Sequence, residues 1–147
     1  MTDHNFRELV ERGAATADQG NTLEALLHLE NAARFGSTPM LTSYLGYCLA
    51  RERGQFKKGA GLCLEALTHE PGQGVHYLNL GRVYLAAGNK GLAVKSFRQG
   101  LKFGRHSLIS EELKRLGIRK PAVVPSLSRS HPLNKYLGLV FTRLHMR

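Results

Sequence analysis

The sequence predicts an all-α chain, an α-solenoid of three stacked helical hairpins. Three observations predict it. Residue types return at a spacing of 34: Ala25, Gly59 and Ala93 line up, as do Leu29, Cys63 and Phe97, and Ala32, Ala66 and Gly100. A fixed period of that size marks a row of supersecondary units, each leaning on its neighbour, in place of one irregular core. Small residues at Gly13, Gly46 and Gly81 are expected to face Ala25, Gly59 and Ala93, so that the two helices of a hairpin approach closely. Gly20, Gly54 and Gly88 fall between paired helices, where a turn often needs positive φ.

The elements follow in order. A first helix starts near Phe6, with Asp3 or Asn5 as cap and Phe6, Leu9 and Val10 as its apolar stripe. Asn21 and Thr22 are caps for the second, about residues 22–35, where Leu23, Leu26, Leu27 and Ala33 join the repeat positions. Phe35-Gly36-Ser37-Thr38-Pro39 ends that unit and opens the next. The third helix spans about 39–52 and the fourth about 56–69; Pro71-Gly72-Gln73-Gly74 is a turn cluster. The fifth spans about 74–87 and the sixth about 90–103. These give hairpins at about 5–38, 39–73 and 74–106.

A capping helix is expected within 107–117, with Ser107 or Ser110 as its cap and Leu108, Ile109, Leu113 and Leu116 near one face. It covers the open end of the last hairpin, as solenoids require. Residues 118–131 carry Pro121 and Pro125 with interleaved apolar residues and read as an extended linker. Residues 132–147 restart a helix: Leu133, Tyr136, Leu137, Val140, Phe141 and Leu144 form one stripe at helical period. That stripe calls for a receptor: the chain's own repeats, a second subunit, which would make a homo-oligomer, or another protein.

The third copy is the clearest: Tyr77-x2-Leu80-Gly81-x2-Tyr84, then Gly88, then Ala93-x3-Phe97-x2-Gly100. It resembles the tetratricopeptide repeat, whose pattern is a bulky residue, Leu-Gly, Tyr, a turn, then Ala and Phe on a second helix. The second copy has Leu45-Gly46, Leu49, Gly59, Cys63, Ala66 and Pro71; the first has Leu9, Gly13, Gly20, Ala25, Leu29 and Ala32. Arg12, Thr16, Thr42 and Arg105 depart from the pattern. The first-helix glycines are spaced 33 and then 35, and the extra residue in copy two is read as a longer turn around Arg53-Gly54. The resemblance covers roughly residues 5–106 and implies a right-handed solenoid that holds other polypeptides.

In that family the concave surface is lined mainly by the first helix of each hairpin. Carried over by position, it gives Arg7, Val10, Ala14 and Ala17 from copy one, and Met40, Ser43, Tyr47 and Arg51 from copy two. Copy three gives Val75, Leu78, Asn79, Arg82 and Leu85. Such a wall, apolar with an arginine from each unit, suits an extended peptide or a helix with an acidic edge. Some family members clamp a C-terminal carboxylate with Lys, Asn and Arg. Here Val10, Ala14, Ser43 and Val75 stand at matching positions and only Asn79 and Arg82 agree, so the full clamp is rejected.

Charge is uneven. The net of +10 is made of −2 over residues 1–70 and +12 over residues 71–147. The basic half sets up the alternative reading, a nucleic acid or other polyanion as partner. Against it, no nucleic-acid motif is present, and Tyr77, Tyr84 and Phe97 occupy repeat positions expected in the core.

Little chemistry is signalled. Cys48 and Cys63 are too few for a disulfide framework. The polar start lacks the order of a signal peptide, and no apolar run approaches a membrane span, so a cytoplasmic protein is expected. Seven histidines are scattered with no metal-ligand spacing, and no phosphate loop occurs. No cofactor, metal or catalytic residue is expected.

Overall fold

The computed structural model describes residues 2–118. Among the described residues there are seven helices and no strand: α1 Asp3–Asp18, α2 Thr22–Ala33, α3 Pro39–Arg53, α4 Phe56–His69, α5 Gly74–Ala86, α6 Lys90–Leu101 and α7 Ser107–Arg115. The chain is thus all-α over that range. Most of the expected linker and the whole stripe from Leu133 to Leu144 lie outside the described residues.

Side-chain caps set most of the helix starts. The Thr2 hydroxyl accepts from the Asn5 N–H at 3.1 Å, so α1 starts at Asp3 and the expected caps Asp3 and Asn5 lie inside it. Asp3 then adds a carboxylate to the positive end of the helix dipole. Asn21, Thr38 and Asn89 cap α2, α3 and α6 in the same way, with Pro39 opening α3. On α7 the cap is His106, not Ser107 or Ser110: its Nδ1 accepts from the Ile109 N–H at 3.4 Å. An imidazole can do this only with Nδ1 unprotonated. Burial, and then the nearby Arg82 charge, push the His106 pKa down and favour that state.

The turn glycines Gly20, Gly54 and Gly88 adopt φ of 90°, 65° and 80°. The extra residue of the second copy is not in its turn. Between α3 and α4 there are only Gly54 and Gln55, whereas α1–α2 and α5–α6 are separated by three residues. Instead α3 continues seven residues past Gly46, against five past Gly13 in α1 and past Gly81 in α5. Gly54 itself caps α3 in the left-handed conformation, which is why a shorter turn suffices.

Helices pack as successive pairs, α1 with α2, α3 with α4 and α5 with α6. The odd helices also pack on one another, α1 on α3 and α3 on α5, while α2 packs on α3, α4 on α5 and α7 on α6. The odd helices therefore form a continuous wall. Leu26, Leu29, Leu41, Cys63, Leu78, Leu80 and Phe97 are buried in the core. Each large apolar side chain so buried contributes roughly 1.5–3 kcal/mol.

The helical glycines divide by what they admit. Gly46 and Gly59 meet directly, as two small residues at a crossing should. At Gly13 an added Cβ would lie 2.7 Å from Leu29 Cγ, and at Gly81 it would overlap the Phe97 ring. In those hairpins the glycine seats a large side chain of the second helix. Gly100 does the same for Ile109 of α7, 2.7 Å from Cδ1 to a Cβ built there, which fixes α7 against α6.

Candidate functional site

The site starts from a carboxylate in an awkward place. Asp18 is the last residue of α1, where the helix dipole disfavours negative charge. Two groups compensate it. Arg82 of α5 donates from Nη1 to Asp18 Oδ1 at 2.8 Å, and Tyr44 of α3 places Oη 3.0 Å from both carboxylate oxygens. Arg82 is only 5% exposed. Its Nε donates to Glu112 of α7 at 3.3 Å, and its guanidinium lies 4.9 Å over the Tyr47 ring. Burial works to lower the Arg82 pKa; the Asp18 hydrogen bond leads the opposing effects, and the net direction is upward. The guanidinium stays charged. Burial, and then the Asp18 charge, push the Tyr44 phenol up, so it stays a donor.

A chain of hydrogen bonds runs inward from Arg82. Nη1 donates to Asn79 Oδ1 at 3.2 Å, and Asn79 Nδ2 donates to Ser43 Oγ at 3.2 Å. Ser43 Oγ is 2.8 Å from His76 Nδ1, and His76 Nε2 is 2.7 Å from Glu70 Oε1. Burial is the main influence on His76 and lowers its pKa despite Glu70, so the ring is neutral at pH 7. One assignment then satisfies every link: the Ser43 hydroxyl donates to Nδ1, and Nε2–H donates to Glu70. Serine, imidazole and carboxylate in that order also make a hydrolytic relay. Here Ser43 has no exposed surface and already accepts from Asn79. As folded, it cannot meet a substrate carbonyl.

Above Arg82 the odd-helix wall opens into a cleft of about 370 Å³. It is lined by Tyr47 and Arg82, by the apolar Leu85, Ala86 and Leu108, and by the charged Asp18, Glu111, Glu112, Arg51 and Arg115. Arg51 donates to Tyr47 Oη at 3.1 Å, and among the described residues it makes no ion pair. Arg82, by contrast, is already held by two carboxylates.

Of the residues carried over by repeat position, Tyr47, Arg51, Arg82 and Leu85 line this cleft. Arg7 and Met40 are exposed elsewhere, and Val75 is half-buried. Val10, Ala14 and Ala17 are buried in the core. Ser43, Leu78 and Asn79 have no exposed surface, because α3 and α5 pack directly on each other. They hold the wall together from within and present nothing to a ligand. Asn79 therefore offers no clamp contact, and the Arg82 charge is spent on Asp18 and Glu112.

Residues missed from sequence are Asp18, Leu108, Glu111, Glu112 and Arg115. A carboxylate closing α1 is itself a signal, since that position needs a cation nearby. The α7 residues escaped because that helix was assigned a covering role alone.

A scan against family models finds no match, and neither does a comparison with curated proteins. Among the described residues no helix is long and apolar enough to cross a membrane, and no group of three or more His, Cys, Asp or Glu is placed to hold a metal ion.

Proposed function

We propose that the chain is a non-catalytic protein-interaction scaffold, a right-handed solenoid of three tetratricopeptide-type hairpins closed by α7. Its cleft receives a peptide or a helix. The observation that carries this reading is the open cleft on the odd-helix wall, lined by apolar residues and by Arg51, which makes no ion pair among the described residues. The packing supports the architecture: odd helices adjoin one another while each even helix packs behind, as in a curved stack.

The cleft also defines the ligand. Arg82 is neutralised and Arg115 is paired with Glu112, so Arg51 is the cleft arginine with charge to offer, beside Leu85 and Leu108. A segment with an acidic residue next to an apolar one meets both. The chain's own residues 132–147 and a second subunit are alternative occupants.

Selection of a displayed random-peptide library on the full-length protein tests the proposal, with Arg51→Glu and Leu85→Glu run in parallel. Peptides that pair an acidic with an apolar residue should be enriched, and each variant should bind them at least about tenfold more weakly, the effect of losing one good anchor. Enrichment that is the same on both variants would remove the cleft as the site. Sedimentation of the full chain identifies a second subunit as occupant.

A further inference from the structure

The third hairpin, residues 74–106, holds six Lys/Arg (Arg82, Lys90, Lys95, Arg98, Lys102 and Arg105) and no Asp or Glu. Arg82 is turned to the cleft and paired there. The others belong to α6 and the loop after it. Among the described residues no ion pair draws on Lys90, Arg98, Lys102 or Arg105. A surface that is merely solvated mixes both signs. This one does not.

Beside these cations stands an aromatic pair that the sequence reading did not single out. Phe103 stacks on Tyr77 with ring centroids 5.7 Å apart and planes 13° from parallel. The turn at Gly72 lies next to the ring, a Cβ there being 3.8 Å from Phe103 Cδ1. Even so Phe103 remains 50% exposed. Tyr77 stacks on the ring, and half of Phe103 stays open to solvent. Lys102 precedes it in the chain and Arg105 follows two residues later. Arg98 lies one helical turn before Lys102, about 6 Å along the axis.

We infer that α6 and the loop after it form a binding surface for single-stranded nucleic acid, with Phe103 as a stacking platform for one base and Arg98, Lys102 and Arg105 as phosphate contacts. Cations alone would suit any polyanion. The open ring is what selects an unpaired base, because a duplex keeps its base faces covered while a single strand offers them. Phosphate contacts supply salt-dependent affinity and no sequence reading. This surface belongs to the last hairpin and its following loop, distinct from the cleft, so the interaction-scaffold reading does not depend on it.

The test is fluorescence anisotropy of a short labelled oligothymidylate with the full-length protein across a salt series, with a duplex and polyglutamate as comparison ligands. Phe103→Leu keeps an apolar side chain at a half-exposed position. It should weaken the single strand by about tenfold and leave the salt slope unchanged. Lys102→Glu with Arg105→Glu, both exposed, should weaken it further and flatten the slope by about one unit or more per cation removed. Should Phe103→Leu shift the melting temperature, the charge-reversal variant decides alone. Absence of binding at low salt overturns the inference. So does equal affinity for duplex, or for polyglutamate with no effect of Phe103→Leu, which would make the partner an acidic protein. Binding undiminished in every variant places the contact on the six Lys/Arg of residues 119–147 and equally overturns it.

Discussion

Gly46 and Gly59 cross so closely that a Cβ on either would lie 2.5 Å from the carbonyl oxygen of the other. The obstruction is backbone on both sides, so no side-chain rotation relieves it. Gly46→Ala should therefore force α3 and α4 apart and cost about 3 kcal/mol, at the upper end of overpacking effects. Gly61, also on α4, has nothing within 4 Å of its notional Cβ. Gly61→Ala should stabilise by about 0.5–1 kcal/mol through helix propensity and the unfolded chain. Urea denaturation midpoints of the two variants should move in opposite directions.

Asp18→Ala removes the main counter-charge of a guanidinium that is almost fully buried and leaves the Tyr44 hydroxyl without its acceptor. Glu112 remains as a second partner. The expected loss is about 3 kcal/mol, the low end for breaking a buried pair. Asp18→Asn keeps one acceptor oxygen and should lose roughly half as much, about 1.5 kcal/mol. Urea titration of both variants checks the ratio.

Acid should weaken the fold through His76. Burial holds its pKa below the ordinary 6.5, so below that value the unfolded chain binds the proton more readily than the native one. Stability is complete above pH 6.5 and falls as pH drops from there towards the depressed native value. His106 is shifted in the same direction and adds to the slope. His76→Gln offers a donor and an acceptor without titrating. Its unfolding free energy should vary less between pH 7 and pH 5 than that of the native chain, as read from urea titrations at several pH values.

Both thiols should be inert in the native state. Burial, and next the Glu52 charge, push Cys48 up to about 12, and burial raises Cys63 as well. Neither supplies thiolate near pH 8, so a thiolate-dependent reagent should label neither until urea unfolds the chain. Labelling in native buffer would report opening of the interfaces around α3 and α4.

The helices were readable because their period is local. Each unit repeats the same apolar and small residues at fixed offsets, and α7 shows itself by Ile109 and Leu113 at helical spacing. The single added residue in the second copy was misplaced because Gly54 suits a turn and a helix cap equally well. Thr2 and His106 were passed over as caps in favour of more usual neighbours. The site was only partly visible. Tyr47, Arg51, Arg82 and Leu85 follow from position in the repeat, while Ser43 and Asn79 look like surface polar residues until α3 and α5 close over them. The Asp18–Arg82 pair spans 64 positions, and no periodicity links residues so far apart.

That same pair ties α1 directly to α5, and α3 between them adds the Tyr44 hydroxyl to the carboxylate and the Tyr47 ring to the guanidinium. In linear arrays each unit ordinarily couples only to its neighbours, so the ends fray first. Here loosening α1 takes the main counter-charge from a buried guanidinium and the acceptor from a phenol, and loosening α5 leaves the Asp18 carboxylate without its cation. Fraying of α1 is therefore penalised at α5 and the reverse, which ties α1, α3 and α5 into one cooperative melting transition.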